Sequence, residues 1–309
     1  MRQPDPVAVG LALGFAADRV LGDPRRGHPV ALFGSWASWV ETRTHRDNRA
    51  AGILTETIVL APVIALGVTA GRLPAPAQGV ATAVLTWVAL GGTSLGREGV
   101  AVHDLLTAHD VPGARRRVRN LVGRVTDDLD TDEIARAAIE SVAENTSDAV
   151  VGTLVWGAAL GPLGVVLHRA ANTLDAMHGH RTPRYRHFGW AAARLDDLLG
   201  WLPARVTVLA TAAGAPRRAG DVLRTAVRDG RAHPSPNAGP VEAGFAGALG
   251  IRLGGRTVYA SGAEDRVVMG SGGAPTPADL PRTVTLAGRV GMITLVAAVG
   301  ARCAISRRA

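Results

Sequence analysis

The sequence predicts a mainly α-helical, polytopic integral membrane protein with broken or re-entrant segments and long polar loops. Three observations carry that expectation. The 309 residues are 47% hydrophobic, and their mean hydropathy is +0.15. Residues 79–96 and 149–167 carry no charged side chain, while 53–71 and 284–301 hold one each, Glu56 and Arg289. Each of these four stretches is 18 or 19 residues long, close to the roughly 20 that a helix needs to cross a bilayer. The whole chain, 1–309, reads as a single membrane-embedded domain.

The elements follow in order. The first apolar run, 7–17, is followed at once by Asp18 and Arg19, which is not the flank of a cleaved signal peptide. It reads as a retained, half-polar first helix. Residues 30–40 are short and apolar with two Trp, which suits an interfacial helix. The runs 53–71 and 79–96 are spans. Residues 97–148 form a charged helical block, in which Asp130 with Glu133 marks a helix start and the helix runs from Ile134 to about Asp148. The apolar run 149–167 is interrupted at Gly157, Gly161-Pro162 and Gly164. A Gly-Pro pair in mid-segment breaks a helix, so a re-entrant or bent pair is expected there. Residues 168–197 are dense in His, Arg, Asn and Asp. The run 198–213 contains Pro203 and Arg205 and is expected to stay near the site. Residues 214–283, rich in Gly and Pro, read as loop and short helices, and 284–301 is the last span.

Composition removes several chemistries. The net charge is +8 and no Lys occurs, so all 34 basic residues are Arg. A P-loop and a pyridoxal-phosphate Schiff base both need Lys. No G-x-G-x-x-G is present, so a Rossmann-bound NAD has no support. The one Cys, Cys303, excludes an internal disulfide and a Cys-based zinc cluster. The run Arg115-Arg116-Arg117-Val118-Arg119 fits the positive-inside bias of a cytoplasmic loop. With 4% aromatic residues, stacking platforms are scarce, and no nucleic-acid partner is expected.

Two polar segments stand out. Glu140, Glu144 and Asp148 are spaced i, i+4, i+8 and would share one helix face. Like charges at that spacing are mutually unfavourable, and Arg136 offsets only one of them. The row asks for a cation, either an Arg from elsewhere or Mg²⁺ with a phosphate; a solvated acidic face is the plain alternative. The second segment is Asn172-Thr173-Leu174-Asp175-Ala176-Met177-His178-Gly179-His180. A zinc site of His178, His180 and His187 has loose spacing and little support. Arg205 lies in a moderately apolar run, where an unpaired Arg is expensive; Asp196 or Asp197 is its nearest partner in sequence.

These pieces, taken in order, resemble one family. They are Gly22-Asp23-Pro24, His28-Pro29-Val30, Gly123-Arg124 with Thr126, Glu140-Ser141-Val142-Ala143-Glu144-Asn145 with Asp148, and Asn172-Thr173-Leu174-Asp175. Phe188-Gly189, Ala193-Arg194-Leu195-Asp196-Asp197, Pro203-Ala204-Arg205, Ser235-Pro236-Asn237-Ala238-Gly239 and Leu253-Gly254-Gly255 with Tyr259 follow. The pattern is similar to that of the adenosylcobinamide-phosphate synthase family of cobalamin biosynthesis, over roughly residues 10 to 262. The chain departs from the family at Val125, where an acidic residue is usual and Asp127 and Asp128 are nearby substitutes. Gly200, Ala176 and His168 also replace the usual Asn, Ser and Tyr.

The resemblance implies an enzyme that joins a propionate carboxylate of adenosylcobyric acid, as an amide, to aminopropanol or its phosphate. ATP is the implied energy source, with Mg²⁺. It also implies a multi-pass protein of the cell membrane with its active site on the cytoplasmic side. Under it, Glu140, Glu144 and Asp148 are assigned to the Mg²⁺-nucleotide, with Asn145 as a polar helper. Arg124, Arg194 and Arg205 are candidates for phosphate or carboxylate, where a planar fork binds bidentately. Asp175 or His180 is the candidate base. Asp196 and Asp197 complete the catalytic set; the plain alternative for them is an ion-pair network with Arg194. Asp23, His28, Asp128, Asn172, Ser235 and Asn237 are candidate binding residues. The sequence leaves room for a homo-oligomer. The alternative function is a non-catalytic membrane sensor or regulator related to ampicillin-resistance membrane proteins.

Overall fold

The computed structural model describes residues 4–24, 27–180, 182–259 and 262–308. Among them the chain runs α1 (Pro6–Leu21), α2 (Pro29–Thr44), α3 (Arg49–Gly71), α4 (Ala75–Leu90), α5 (Gly92–Thr107), α6 (Val111–Val118) and α7 (Thr131–Asn145). It continues through α8 (Gly152–Leu160), α9 (Pro162–His178), α10 (Trp190–Gly214), α11 (Ala219–Arg228) and α12 (Ala238–Leu249) to a hairpin, β1 (Leu253–Tyr259) and β2 (Gly262–Met269), and ends in α13 (Asp279–Arg308). The protein is mainly α and polytopic. Helices Arg49–Gly71, Ala75–Thr107 and Asp279–Ser306 are long and apolar enough to cross a membrane. A fourth is added if α10 and the segment Pro216–Ala232, bent by 108°, count as one broken span. Runs 53–71, 79–96 and 284–301 fall in the first three, 198–213 falls in α10, and 7–17 falls in the 16-residue α1.

The chain divides into two compact units. The first comprises Met1–Gly91, Asp148–Pro203 and Thr294–Ala309; the second comprises Gly92–Ser147 and Ala204–Ile293.

In the first unit, α1 lies against α4 because small residues let the backbones meet. A Cβ on Gly10 would overlap Thr82 and the Gly79 carbonyl, and one on Gly14 would overlap Thr86 and the Ala83 carbonyl. This is the close packing that membrane helices use where burial of apolar surface gives no drive. Asp5 starts α1 by accepting from Val7 N and Ala8 N at 2.9 Å, and Arg302 of α13 approaches the same carboxylate at 3.2 Å. The core beneath joins Leu11 and Phe15 to Leu90, Leu154 and Val165.

The run 149–167 is indeed broken. α8 ends at Gly161, whose φ of +64° is a conformation that glycine adopts without a Cβ penalty. Pro162 then opens α9 at the position where its missing N–H costs nothing. The two helices form a bent pair.

In the second unit, the capping box that starts α7 is present in full. Glu133 N donates to Asp130 at 2.8 Å, and Asp130 N donates to Glu133 at 3.0 Å. The α-helical turn stops at Asn145 and a π-helical segment, Thr146–Val151, replaces it. The segment expected as loop and short helices contains α11, α12 and the antiparallel hairpin, in which Arg256 opposes Asp265 and Thr257 opposes Glu264. Those charges hid the alternation of a half-buried strand, although Gly-rich ends and a central Ala-Ser-Gly are hairpin signals.

Gly14→Leu is expected to force α1 and α4 apart and to destabilise the protein by about 1–3 kcal/mol, read as a lower thermal midpoint in detergent. Leu13→Val, at an exposed neighbour, is expected to leave the midpoint unchanged. Equal midpoints for Gly14→Leu and wild type would show that the close approach carries no stability.

Candidate functional sites in the two units

The sequence-predicted site residues fall into two sets, one in each unit. Arg124, Asp128, Glu140, Glu144, Asn145, Arg205, Ser235 and Asn237 belong to the second unit, and Asp23, His28, Asp148, Asn172, Asp175, His180, Arg194, Asp196 and Asp197 belong to the first.

In the second unit, α7 projects Arg136 and Glu140 toward the base of the hairpin. Arg136 donates to the carbonyls of Gly254 and Arg256 and straps β1 to the helix. Glu140, one turn on, accepts from Gly254 N at 2.8 Å and from the Arg124 guanidinium at 2.5 Å. Both side chains of this pair are almost fully buried. An Arg from elsewhere in the chain, Arg124, therefore answers the cation demand at Glu140. Val125, the departure from the family pattern, uses its backbone N–H to reach Val258 O at 2.9 Å. Asp127 pairs with Arg119, and Asp128 is exposed. The Asn145 amide donates to Ser141 O at 2.9 Å.

Glu242 of α12 joins this cluster and escaped the sequence reading, because it is a single acid in an otherwise uncharged run. It is buried, and its Oε2 has no hydrogen-bond partner among the described residues. Burial pushes its carboxyl well above the usual range, and the charges of Glu140 and Glu144 push the same way; Arg266 and Arg124 only partly offset them. Nearby, Arg205 donates to Pro236 O at 3.0 Å and to Asn237 Oδ1 at 3.2 Å. Ser235 Oγ accepts from Ala238 N at 3.1 Å, so Arg205, Ser235 and Asn237 form one group.

In the first unit, Arg169 of α9 stands in the electrostatic field of both Asp23 and Asp148. Arg169 is another residue that the sequence reading missed; its neighbour His168 drew the attention. Further along α9, Asp175 is held above the usual carboxylate range by burial first, then by Asp197 and Glu56, while His180 acts in the opposite direction. His180 and Arg194 are exposed, and Arg194 approaches Asp197 at 3.8 Å. His178 is fully buried between two acids, with Nδ1 at 3.2 Å from Glu56 and Nε2 at 3.5 Å from Glu41. Arg184 at 2.8 Å and Tyr185 at 3.1 Å donate to the same Glu41 oxygen. That partnership accounts for His178 without zinc.

Among the described residues, no group of three or more His, Cys, Asp or Glu side chains is placed to hold a metal ion. Each oxygen of Glu140 accepts one hydrogen bond, from Arg124 and from Gly254 N. Of the three residues expected to hold Mg²⁺, Glu140 and Glu144 lie in the second unit and Asp148 in the first.

A family model described as CobD/Cbib protein matches residues 11–287. The chain is 49% identical over 283 residues to a cobalamin biosynthesis protein CobD of Mycobacterium tuberculosis, covering 90% of each chain. It is 44% identical over 263 residues to the protein of that name from Stutzerimonas stutzeri, covering 84% of this chain and 86% of the relative. With that of Rhodobacter capsulatus, identity is 41% over 313 residues, with 97% and 99% covered. No solved structure matches.

Glu242 gives a pH test. Its folded-state value lies above the ordinary 4.5, so the native protein holds a proton that the unfolded chain has released. That contribution to stability is full at acid pH and is lost as pH rises through the folded-state value. Glu242→Gln keeps the neutral form and is expected to flatten the loss of thermal stability as pH rises above the ordinary glutamate value. An unchanged slope would mean that Glu242 is ionised in the native protein.

Proposed function

This chain belongs to the CobD/Cbib family, and from that premise we propose that it acts in cobalamin biosynthesis as an adenosylcobinamide-phosphate synthase. The proposed reaction joins a propionate carboxylate of adenosylcobyric acid to aminopropanol or its phosphate. The observation that carries the reading is the family match over residues 11–287, which takes in every candidate site residue. The curated relatives named above are called cobalamin biosynthesis proteins, which does not favour the sensor alternative.

A carboxylate is a poor electrophile, so the proposal includes ATP. The carboxylate oxygen attacks the γ-phosphorus and ADP leaves, giving an acyl phosphate. The amine nitrogen then attacks the acyl carbon, the C–O bond to phosphate breaks, and the nitrogen loses a proton to a base. Asp175, held above the usual carboxylate range by burial and then by Asp197, is a stronger base than an ordinary carboxylate and is assigned that last role. With no Lys in the chain, the cations that meet phosphoryl oxygens are Arg: Arg124, Arg194 and Arg205 in this proposal. Their planar forks suit bidentate contact. Mg²⁺ enters only as the companion of the nucleotide phosphates, the way it usually binds.

Membranes holding the full chain are expected to convert adenosylcobyric acid, aminopropanol or its phosphate, and ATP into a cobinamide product, with none formed when ATP is omitted. Arg205→Lys is expected to lose at least about tenfold in activity, because an ammonium cannot offer a phosphate or carboxylate the two parallel N–H donors of a guanidinium. Product without ATP removes the acyl-phosphate step, and an unaffected Lys variant removes the bidentate role.

The cytoplasmic orientation is also a proposal, supported by the Arg115–Arg119 cluster. In a Cys303→Ser background, single cysteines at Arg116 and Thr182 are each expected to react from the cytoplasmic face. Reaction of either from the opposite face would overturn it.

A further inference from the structure

The two Trp of residues 30–40 take no part in the proposed reaction, and the first unit gives them a setting. α2 runs along α3, a helix long and apolar enough to cross a membrane. At one end Thr44 Oγ1 lies 2.6 Å from Thr55 Oγ1, near the start of the apolar run 53–71. At the other, Leu32, Phe33 and Trp36 of α2 face Pro62, Val63 and Leu66 of α3 across an open apolar groove of about 460 Å³. That groove is level with the middle of the run. It adjoins a second apolar space of about 130 Å³, with which it shares Phe33, Val63 and Leu66.

One face of α2 changes its chemistry along the helix. Leu32, Trp36, Trp39 and Arg43 are spaced i, i+4, i+7 and i+11 and share that face. Leu32 and Trp39 are exposed, and so is Arg43. The Trp36 and Trp39 rings stack at 5.2 Å. The Arg43 guanidinium lies 3.6 Å from the centre of the Trp39 ring, a cation–π contact. Its Nη1 donates to Trp39 O at 2.8 Å and to Thr42 Oγ1 at 3.2 Å, and its other two nitrogens have no partner among the described residues. Trp36 lines the groove, and its Nε1 is a buried donor with no partner among the described residues. From Leu32 to Arg43 the helix rises about 16 Å, close to the roughly 15 Å between the middle of a bilayer core and its edge. The other charges at this end are Glu41, which Arg184 holds at 2.8 Å, Arg46, Asp47, and Arg49 over the Trp190 ring at 5.2 Å.

We propose that this face of α2 and the groove beside it bind one anionic glycerophospholipid of the surrounding membrane, an acyl chain in the groove, an ester carbonyl toward Trp36 Nε1 and the phosphate toward Arg43. The order hydrocarbon, ester, phosphate along the lipid matches the order Leu32, Trp36, Arg43 along the helix. A plain hydrocarbon would leave Trp36 Nε1 and the Arg43 guanidinium unmet, and a soluble anion would leave the groove unfilled. Indole rings settle where a membrane turns from apolar to polar. An Arg there keeps its stem in the apolar layer and its charge among lipid phosphates. The site needs only a bilayer around the chain and stands whether or not the chain is a synthase.

The test is native mass spectrometry of the full, delipidated chain in a neutral detergent. It is titrated with dioleoylphosphatidylglycerol and, separately, with dioleoylphosphatidylcholine, and thermal midpoints check the fold. Wild type is expected to take one phosphatidylglycerol at least about fivefold more tightly than phosphatidylcholine, the weight of one Arg at an anionic lipid. Arg43→Gln is expected to erase that preference. Val63→Phe fills the groove and is expected to weaken both lipids; if it does not fold, Leu66→Trp, at an exposed position, fills it instead. Arg72→Gln, at the far end of α3, is expected to change neither affinity nor preference. Equal binding of the two lipids by wild type, the mark of annular lipid only, would overturn the site. So would a preference kept in Arg43→Gln, an equal loss in Arg72→Gln, or undiminished affinity in a filled variant at an unchanged midpoint. A lipid-free dimer as the main wild-type species would give the groove to a second copy and overturn the site as well.

Discussion

A carboxylate taken out of water has to be met by a cation or by a proton, and this constraint organises the interior of both units. In the second, Glu140 is met by Arg124 and by a backbone N–H, while Glu242, whose Oε2 has no hydrogen-bond partner among the described residues, is pushed toward its protonated form by burial. In the first, Glu41 and Glu56 bracket His178, with Arg184 and Tyr185 closing on Glu41. Removing one partner of such a buried pair typically costs about 3–5 kcal/mol, since the other charge is left behind. The positions of α7, the hairpin base and the loop after α9 are thus tied to where these charges can be satisfied.

The frame of the molecule was readable from the sequence because it depends on local signals. Long apolar runs with a single charge each marked α3 and α13, Asp130 with Glu133 marked the start of α7, and Gly161-Pro162 marked the break between α8 and α9. The site was readable only in part. Arg124 and Glu140 are sixteen residues apart and Glu140 and Gly254 over a hundred, so no spacing rule connects them. Glu242 and Arg169 carry no motif; burial gives them their meaning, and burial is a property of the fold. The hairpin escaped because Glu264, Asp265 and Arg266 stand in succession in β2 and interrupt the apolar alternation of an ordinary half-buried strand. One feature was available and passed over: Gly10 and Gly14, four apart, mark a helix that packs closely.

Family membership and geometry bear on different questions. Similarity along the chain speaks to the pathway. The geometry speaks to which side chains can act on a substrate and which are spent on holding the protein together. Glu140 belongs to the second kind, since each of its carboxylate oxygens accepts from a neighbour.

The bend at Gly161 has a consequence for how the protein is made. α8 has nine residues, about 14 Å at 1.5 Å each, which is half of the roughly 30 Å of a bilayer core. Such a helix is too short to be released into lipid as an independent segment, and the peptide groups at its turn need protein around them. That cover comes in part from α1, with Val7 packed beside Gly161. α8 and α9 therefore have to enter together, into a seat that earlier-synthesised helices have already built. The order of assembly is written into the length of one helix.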